Sequence, residues 1–369
     1  MGIFSKDSIK IKDKICTAKF ERYGALDYDR TTSLFKGKSA GCDSVHIEIG
    51  DDVTDGYVYM PPSINVVDYT VSPSNRFFKS VDGNLYSKDG KQLIKYATGK
   101  TQTRFVIPEG VTELPLCAFW GADKLKSIVL PSTMKRLGAQ AFSSCTSLKE
   151  MIIPDGVTVI SNAFLNCKSI ERIVIPKTVE IIETTDKQNF EIDAFAGCER
   201  LKSIEVSEEN NNYKSIDGNL YSKNGRTLIK YAVGKSQPSF TVPNGVKTIA
   251  YCAFKNCNSL EELDMPDSVE TVSVLAFFKC INLKKVTLSR DLEKIEGSAF
   301  KDCRMLREII IPQSVKEIER SAFENCPSLT IKCIANNKPQ GWADTWTNAP
   351  GAVVWGYKAS GRKMTNDEE

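Results

Sequence analysis

The sequence predicts a β-rich, right-handed solenoid of coils of about 23 residues, with a parallel β-sheet, two inserted β-hairpins and capped ends. Three observations predict it. An Ala-Phe pair recurs at Phe119, Phe142, Phe164, Phe195, Phe254, Phe277, Phe300 and Phe323, followed at the third place by Ala or Cys and at the sixth by Leu or Ile. Each pair leads into an apolar-x-apolar run, closed by proline at Pro131, Pro154, Pro176, Pro266 and Pro312. The stretch from Val71 to Phe119 returns from Val206 to Phe254 at a constant offset of 135, with more than half of its residues identical. A unit this short cannot bury its own apolar face, so it must stack on its neighbours.

In chain order, residues 1–44 show no repeat and read as an N-terminal cap or non-repeat segment. The solenoid is expected over 45–333, opening with the strand-like run Val45 to Ile49. A degenerate coil follows, in which Val58, Met60 and Pro61, then Ile64 and Val67, fit the strand, proline and wall columns. Hairpin insertions are expected near 78–100 and 213–235, because Asp89-Gly90 and Asn224-Gly225 sit between strand-like runs and tolerate positive φ. In the regular coils, pairs such as Met151/Ile153, Ile173/Ile175 and Leu263/Met265 alternate with a residue that must face outward, the mark of a half-buried strand. Proline then ends the pairing, since it has no N–H for the ladder. A second apolar pair, such as Val157/Ile160 or Val315/Ile318, forms the opposite wall. The polar insertion from Glu183 to Asn189 reads as a surface loop. Residues 334–357, with Trp342, Trp346 and Trp355, read as a C-terminal cap over the open core and unpaired edge, and 358–369 as a polar tail.

The net charge of +3, with both signs mixed, gives no basic stripe and argues against a nucleic-acid partner. No run of about 18 apolar residues exists, which argues against membrane insertion. Met1 to Arg30 is charged throughout and lacks the apolar core of a secretion signal.

The pattern Ile-x-Ile-Pro-x-x-Val-x-x-Ile-x-x-x-Ala-Phe-x-x-Cys-x-x-Leu resembles the BspA-like leucine-rich repeats, a mostly bacterial family. The Asp-Gly-Asn-Leu-Tyr-Ser-Lys hairpins and the ending around Gly341-Trp342, Trp346 and Val354-Trp355-Gly356 are similar to elements of that family. The resemblance covers roughly Val58 to Tyr357. It implies a curved solenoid with a parallel sheet, and exported surface proteins concerned with adhesion to host or matrix proteins. A cell-surface or secreted location follows from it if a signal peptide has been removed; a cytoplasmic one follows if Met1 is the native start.

Chemistry is poorly signalled by comparison. Cys145, Cys167, Cys198, Cys257, Cys280, Cys303 and Cys326 share one column and read as a ladder of small buried thiols, a usage that suits a reducing compartment. No metal site is expected, because zinc needs paired Cys or His spacing and neither occurs. The Asp82-Gly83-Asn84 cluster faintly resembles a calcium loop, but Leu93 stands where the bidentate Glu would be, so a turn is expected. His46 is the only histidine and lies in a strand-like run with no nucleophile or orienting acid signalled nearby. No enzyme, catalytic residue or cofactor is therefore expected.

Binding is expected of the strand faces. The outward residue of successive coils is Val129, Ile152, Val174 and Glu205, then Asp264, Thr287 and Ile310. Val129, Ile152 and Val174 would form an apolar stripe on a polar sheet, rimmed by Lys126, Lys149, Glu171, Glu150 and Arg172. Ordinary β-propensity would place such residues there without any partner. The expected function is a protein-binding module, with adhesion or an intracellular scaffold as its setting and the partner unknown. The alternative is a glycan binder using the aromatic tail, although Trp342 and Trp346, four apart, would face one way on a short helix and more economically into the last coil.

Overall fold

A computed structural model describes residues 7–36, 42–54, 58–183, 193–348 and 353–358. The polar insertion beyond Glu183 and the tail beyond Lys358 lie outside them. The chain divides into two compact units, residues 1–218 and 219–369, and is a β-solenoid with a single helix among the described residues.

The first unit begins with a four-stranded sheet in the order β1 (Ser8–Lys12), β2 (Ile15–Phe20), β3 (Ser44–Ile49) and β4 (Val66–Val71). β1 pairs antiparallel with β2, but β2, β3 and β4 run parallel. Parallel stacking thus starts within residues 1–44, where no repeat was visible: Cys16, Ala18 and Phe20 alternate inward one strand before Val45, Ile47 and Ile49. The helix α1 (Tyr28–Phe35) closes this end and is N-capped by Asp27, whose carboxylate accepts from the Arg30 N–H. Arg30 in turn grips Asp7, Nε to Oδ2 2.7 Å, with both side chains nearly buried.

The first insertion is an antiparallel trio, β5 (Phe78–Val81), β6 (Asn84–Ser87) and β7 (Leu93–Lys95). Asp82 and Gly83, both at positive φ (46° and 68°), make the two-residue turn between β5 and β6. Regular coils follow, each with two short strands. On the sheet face β8 (Arg104–Val106) pairs parallel with β10 (Ser127–Val129), and β14 (Arg172–Ile175) lies between β12 (Glu150–Ile152) and β16 (Ser203–Val206), parallel to both. The Lys149 N–H bonds the Lys126 carbonyl at 3.1 Å where the two groups meet. On the other wall β9 (Glu113–Leu114) pairs with β11 (Arg136–Leu137), and β13 (Val159–Ile160) with β15 (Ile181–Ile182). β17 (Tyr213–Ile216) ends the unit.

The second unit opens with β18 (Asn219–Ser222) antiparallel to β19 (Thr227–Lys230). Its wall ladder continues from β19 through β21 (Thr248–Ile249), β23 (Thr271–Val272), β25 (Lys294–Ile295) and β27 (Glu317–Ile318). Its face ladder runs β20 (Ser239–Thr241), β22 (Glu262–Asp264), β24 (Lys285–Thr287), β26 (Glu308–Ile311), β28 (Thr330–Cys333) and β29 (Val353–Val354).

Both cores are built on a column of stacked rings. Tyr96, Phe119, Phe142 and Phe164 follow one another at 5.2, 5.5 and 5.6 Å between centroids. Tyr231, Phe254, Phe277, Phe300 and Phe323 do so at 4.9, 4.8, 4.9 and 5.2 Å. The spacing follows the strand separation of about 4.8 Å, so the ladder sets the stack. Each column starts on a tyrosine of the inserted hairpin, and the second ends edge-on against Trp346 at 5.8 Å.

The cysteine column has its own reason. The thiols of Cys145, Cys167, Cys198, Cys280, Cys303 and Cys326 point at the carbonyl of the Phe one coil back, at 3.1–3.3 Å. A small side chain with a weak donor fits beside the ring and adds a second contact to a carbonyl that already accepts the N–H three residues on, as Phe142 does from Cys145 at 3.1 Å. Burial pushes the Cys257 and Cys326 thiols up to about 12 and raises those of Cys145, Cys167 and Cys303 well above the usual thiol range, so they are poor nucleophiles. Cys16 and Cys42 behave differently. They form a disulfide with Cα atoms 5.7 Å apart, outside the column and outside the ladder reading, which covered only the seven column cysteines.

Candidate functional site

The face ladder of the first unit positions the outward column by simple alternation. Ile128, Met151, Ile173 and Ile204 point into the core, so their C-terminal neighbours point out. Parallel register then sets Val106 against Val129, and Ile152 against Val174 and Glu205. Val106 is 49% exposed, Val129 37% and Ile152 56%, and Val174 is half-buried. Four apolar side chains thus stand in a row on consecutive coils, and the row ends at Glu205.

Val106 was absent from the expected stripe. Its coil follows the hairpin and has no preceding Ala-Phe pair, although Phe105-Val106-Ile107-Pro108 carries the strand and proline signal.

Beside the apolar row, on the same strands, runs a charged column. Arg172 forms a two-pronged ion pair with Glu205, Nε to Oε1 and Nη2 to Oε2 both 2.7 Å, and reaches Glu150 on the other side at 3.3 Å. Its three strands are thereby tied at their surface. Glu171 is matched by Lys202 at 2.9 Å, and the lysine holds its carboxyl below the usual range. Lys126 and Lys149 are exposed beside the apolar row. The structure therefore brings Val129, Ile152, Val174, Glu150 and Arg172 together on one face, an apolar strip with a polar rim.

The other candidates are placed as follows. Trp342 and Trp346 are 3% and 4% exposed, and the Trp342 indole N–H donates to the Val315 carbonyl. They plug the last coil and offer no open ring face for a sugar. His46 has a partner that the sequence did not signal: its Nδ1 lies 2.7 Å from the Asp68 carboxylate, both half-exposed on adjacent strands. A bulge between Val45 and His46 shifts the register and creates this pair. An orienting acid alone, with no activated nucleophile placed by these contacts, ties two strands and does not make a triad. Asp82 and Gly83 form a turn, as described. Among the described residues no cluster of His, Cys, Asp or Glu could hold a metal ion, and no helix is long and apolar enough to cross a membrane.

Two buried lysines were also missed. Lys95 donates to the Cys117 carbonyl at 2.6 Å and Lys230 to the Cys252 carbonyl at 3.0 Å, at the same place in each hairpin. Burial drives Lys95 down to about 8. The Leu-Ile-Lys-Tyr tetrapeptide gave a strand signal, but not which way the lysine points.

Comparison with known proteins agrees with this architecture. Residues 96–226 and 230–339 match the model of the BspA type leucine rich repeat region, in six copies. The structure is similar to a leucine rich cell surface protein from Faecalibacterium prausnitzii, at 22% identity over 95% of this chain and 93% of that one, with a TM-score of 0.56. It is also similar to the pneumococcal vaccine antigen PcpA, at 19% identity over 96% and 85%, with a TM-score of 0.57. At these identities the likeness is one of fold. No curated protein matches the chain significantly.

Proposed function

The chain belongs to the BspA-type leucine-rich repeat family, and on that premise we propose that it is a non-enzymatic protein-binding module whose sheet face, in the first unit, holds a partner in adhesion. The observation that carries this reading is the apolar row Val106, Val129, Ile152 and Val174, bordered by Glu150 and Arg172. A contiguous exposed apolar strip with a polar rim is the ordinary anatomy of an interface. The partner is a protein, since the strip carries aliphatic side chains and the Trp342 and Trp346 indoles that could stack on a sugar are buried.

A cell-surface setting is supported by the similar F. prausnitzii surface protein and by the Cys16–Cys42 disulfide, a bond that persists in oxidising compartments. Intact-mass analysis of protein from its native cell tests the setting. Loss of two hydrogens relative to the reduced mass is expected, and a fully reduced chain would favour the intracellular scaffold.

The site is tested by replacing Val129, Ile152 and Val174 with Ser and measuring the affinity for a partner recovered by cross-linking at the native cell surface. At least a tenfold loss is expected, with the fold retained. Equal binding by the variant would remove the stripe from consideration.

A further inference from the structure

The apolar row on the sheet face of the first unit has a measure of its own. Strands of one ladder stand about 4.8 Å apart, so Val106, Val129, Ile152 and Val174 span about 14 Å in three steps, across the strands and along the stack. The row is one side chain wide. The next residues on each coil, Ile107, Leu130, Ile153 and Ile175, are buried, and the polar column Arg104, Ser127, Glu150 and Arg172 runs along its other side.

That measure selects the secondary structure that can cover it. An extended strand laid along the row returns a side chain to one face about every 6.8 Å and is out of step with a spacing of about 4.8 Å after a single coil. A polyproline helix returns one only about every 9 Å, which leaves alternate coils bare. An α-helix returns an apolar side chain to one face once per turn, about every 5.4 Å, and drifts by only about 2 Å over the whole row. About ten helical residues, just under three turns, reach from Val106 to Val174.

Charge along the row adds a direction. Arg104 and Lys126, beside Val106 and Val129, are exposed, and neither β8 nor β10 carries an acid. From β12 onward the charges cancel, because Lys149, Arg172 and Lys202 are matched by Glu150, Glu171 and Glu205. Arg172 reaches Glu150 at 3.3 Å and Glu205 at 2.7 Å, and Lys202 meets Glu171 at 2.9 Å. The Val106 end is therefore the cationic end of the row. A helix carries partial negative charge at its C-terminus, so its last turn, with acidic side chains there, complements Arg104 and Lys126.

We propose that the row takes an amphipathic α-helix of a partner protein, laid along the stack with apolar side chains at i, i+3, i+7 and i+10 and with its acidic C-terminal end over Arg104 and Lys126. The proposal rests on the reading of the row as the binding site and names what that site takes. Successive apolar side chains of such a helix fall alternately to either side of its midline, so they seat on both flanks of a single-file row. Burial of the Val and Ile methyl groups supplies the attraction, and the charged rim fixes which way the helix runs.

The experiment titrates two peptides of about 14 residues and the same composition into the full chain with labelled Ile and Val methyl groups, followed by NMR. One carries Leu at the helical spacing, is locked as a helix by a side-chain lactam and ends in Glu; the other alternates Leu with polar residues. The helical peptide should shift the methyl groups of Val106, Val129, Ile152 and Val174 together and saturably, and the alternating one should bind at least tenfold more weakly. A spin label at the C-terminus of the helical peptide should broaden Val106 and spare Val174, and Arg104→Glu with Lys126→Glu should weaken this peptide at least threefold. Equal or tighter binding by the alternating peptide at the same methyl groups would overturn the helix and leave the row standing as a site. No saturable binding of the helical peptide, saturable binding with the four row residues unmoved, broadening of Val174 in place of Val106, or equal binding by the folded charge variant would also overturn the proposal. Should the charge variant fail to fold, the spin label on the unaltered chain decides the direction. The row itself is judged separately, by the affinity of the native partner for the triple Ser variant.

Discussion

The sheet faces of the two units share one backbone register and differ in what stands on it. In the first unit the outward column reads Val106, Val129, Ile152, Val174; in the second it reads Thr241, Asp264, Thr287, Ile310, Lys332. Beneath both columns lie the same buried rings and thiols. Inward positions must fit a close-packed stack and so vary little between coils. Outward positions meet only water or a partner, and there the coils diverge. The wall ladders differ as well, since the second unit buries the Phe278 ring where the first has the small, buried Ser143.

The comparison can be broken first at the core. Phe277→Ala removes a ring stacked on both sides, and a loss of about 3–5 kcal/mol is expected, as for other buried Phe truncations. Phe142→Ala should cost a similar amount in the first unit. Chemical denaturation measures both, and an unchanged midpoint for either would mean that its column does not support the fold.

Binding sharpens it next. The Val129, Ile152 and Val174 to Ser variant should lose at least tenfold in partner affinity, whereas Ser at Asp264, Thr287 and Ile310 should leave affinity unchanged. Each exposed substitution should alter stability by only about 0.5 kcal/mol or less. Unfolding of the first variant would show that these side chains are needed inside.

A pH titration separates the units in another way. Burial alone would raise Asp7, but Arg30 and the N–H groups of Glu21 and Arg22 outweigh it and hold the carboxyl at about 2. A carboxyl lowered from 3.8 stabilises fully above that value, and its contribution is lost as pH falls from about 4 towards 2. Amide exchange in β1, β2 and α1 should therefore accelerate across that window in the unaltered chain. In Asp7→Asn, which is less stable at neutral pH, the acceleration should be smaller. An identical pH profile in the two proteins would exclude Asp7 as its source.

The smallest effect is expected at the rim. Arg172→Ala breaks ion pairs with Glu205 and Glu150 that are well exposed, so about 0.2–1 kcal/mol of stability should go, less at high salt. A loss of several kcal/mol would show that this network holds the ladder together.

Much of this was legible in the sequence. The Ala-Phe columns, the strand and proline rhythm and the outward position of Val129, Ile152 and Val174 follow from alternation alone, because each coil repeats one inside-outside pattern. The duplicated hairpins announced themselves by their offset and turn residues. Less visible was Val106, whose coil lacks the preceding pair, and the parallel pairing of β2, whose alternation in a single copy has no period to compare with.

The sequence by itself determined the repeating core, because periodic burial is a local property that every coil states again. Only the tertiary structure decided the Cys16–Cys42 bond, the His46–Asp68 pair and the inward turn of Lys95 and Lys230. Each depends on two segments meeting at one particular register, and a one-residue bulge or a missing Cβ changes what meets.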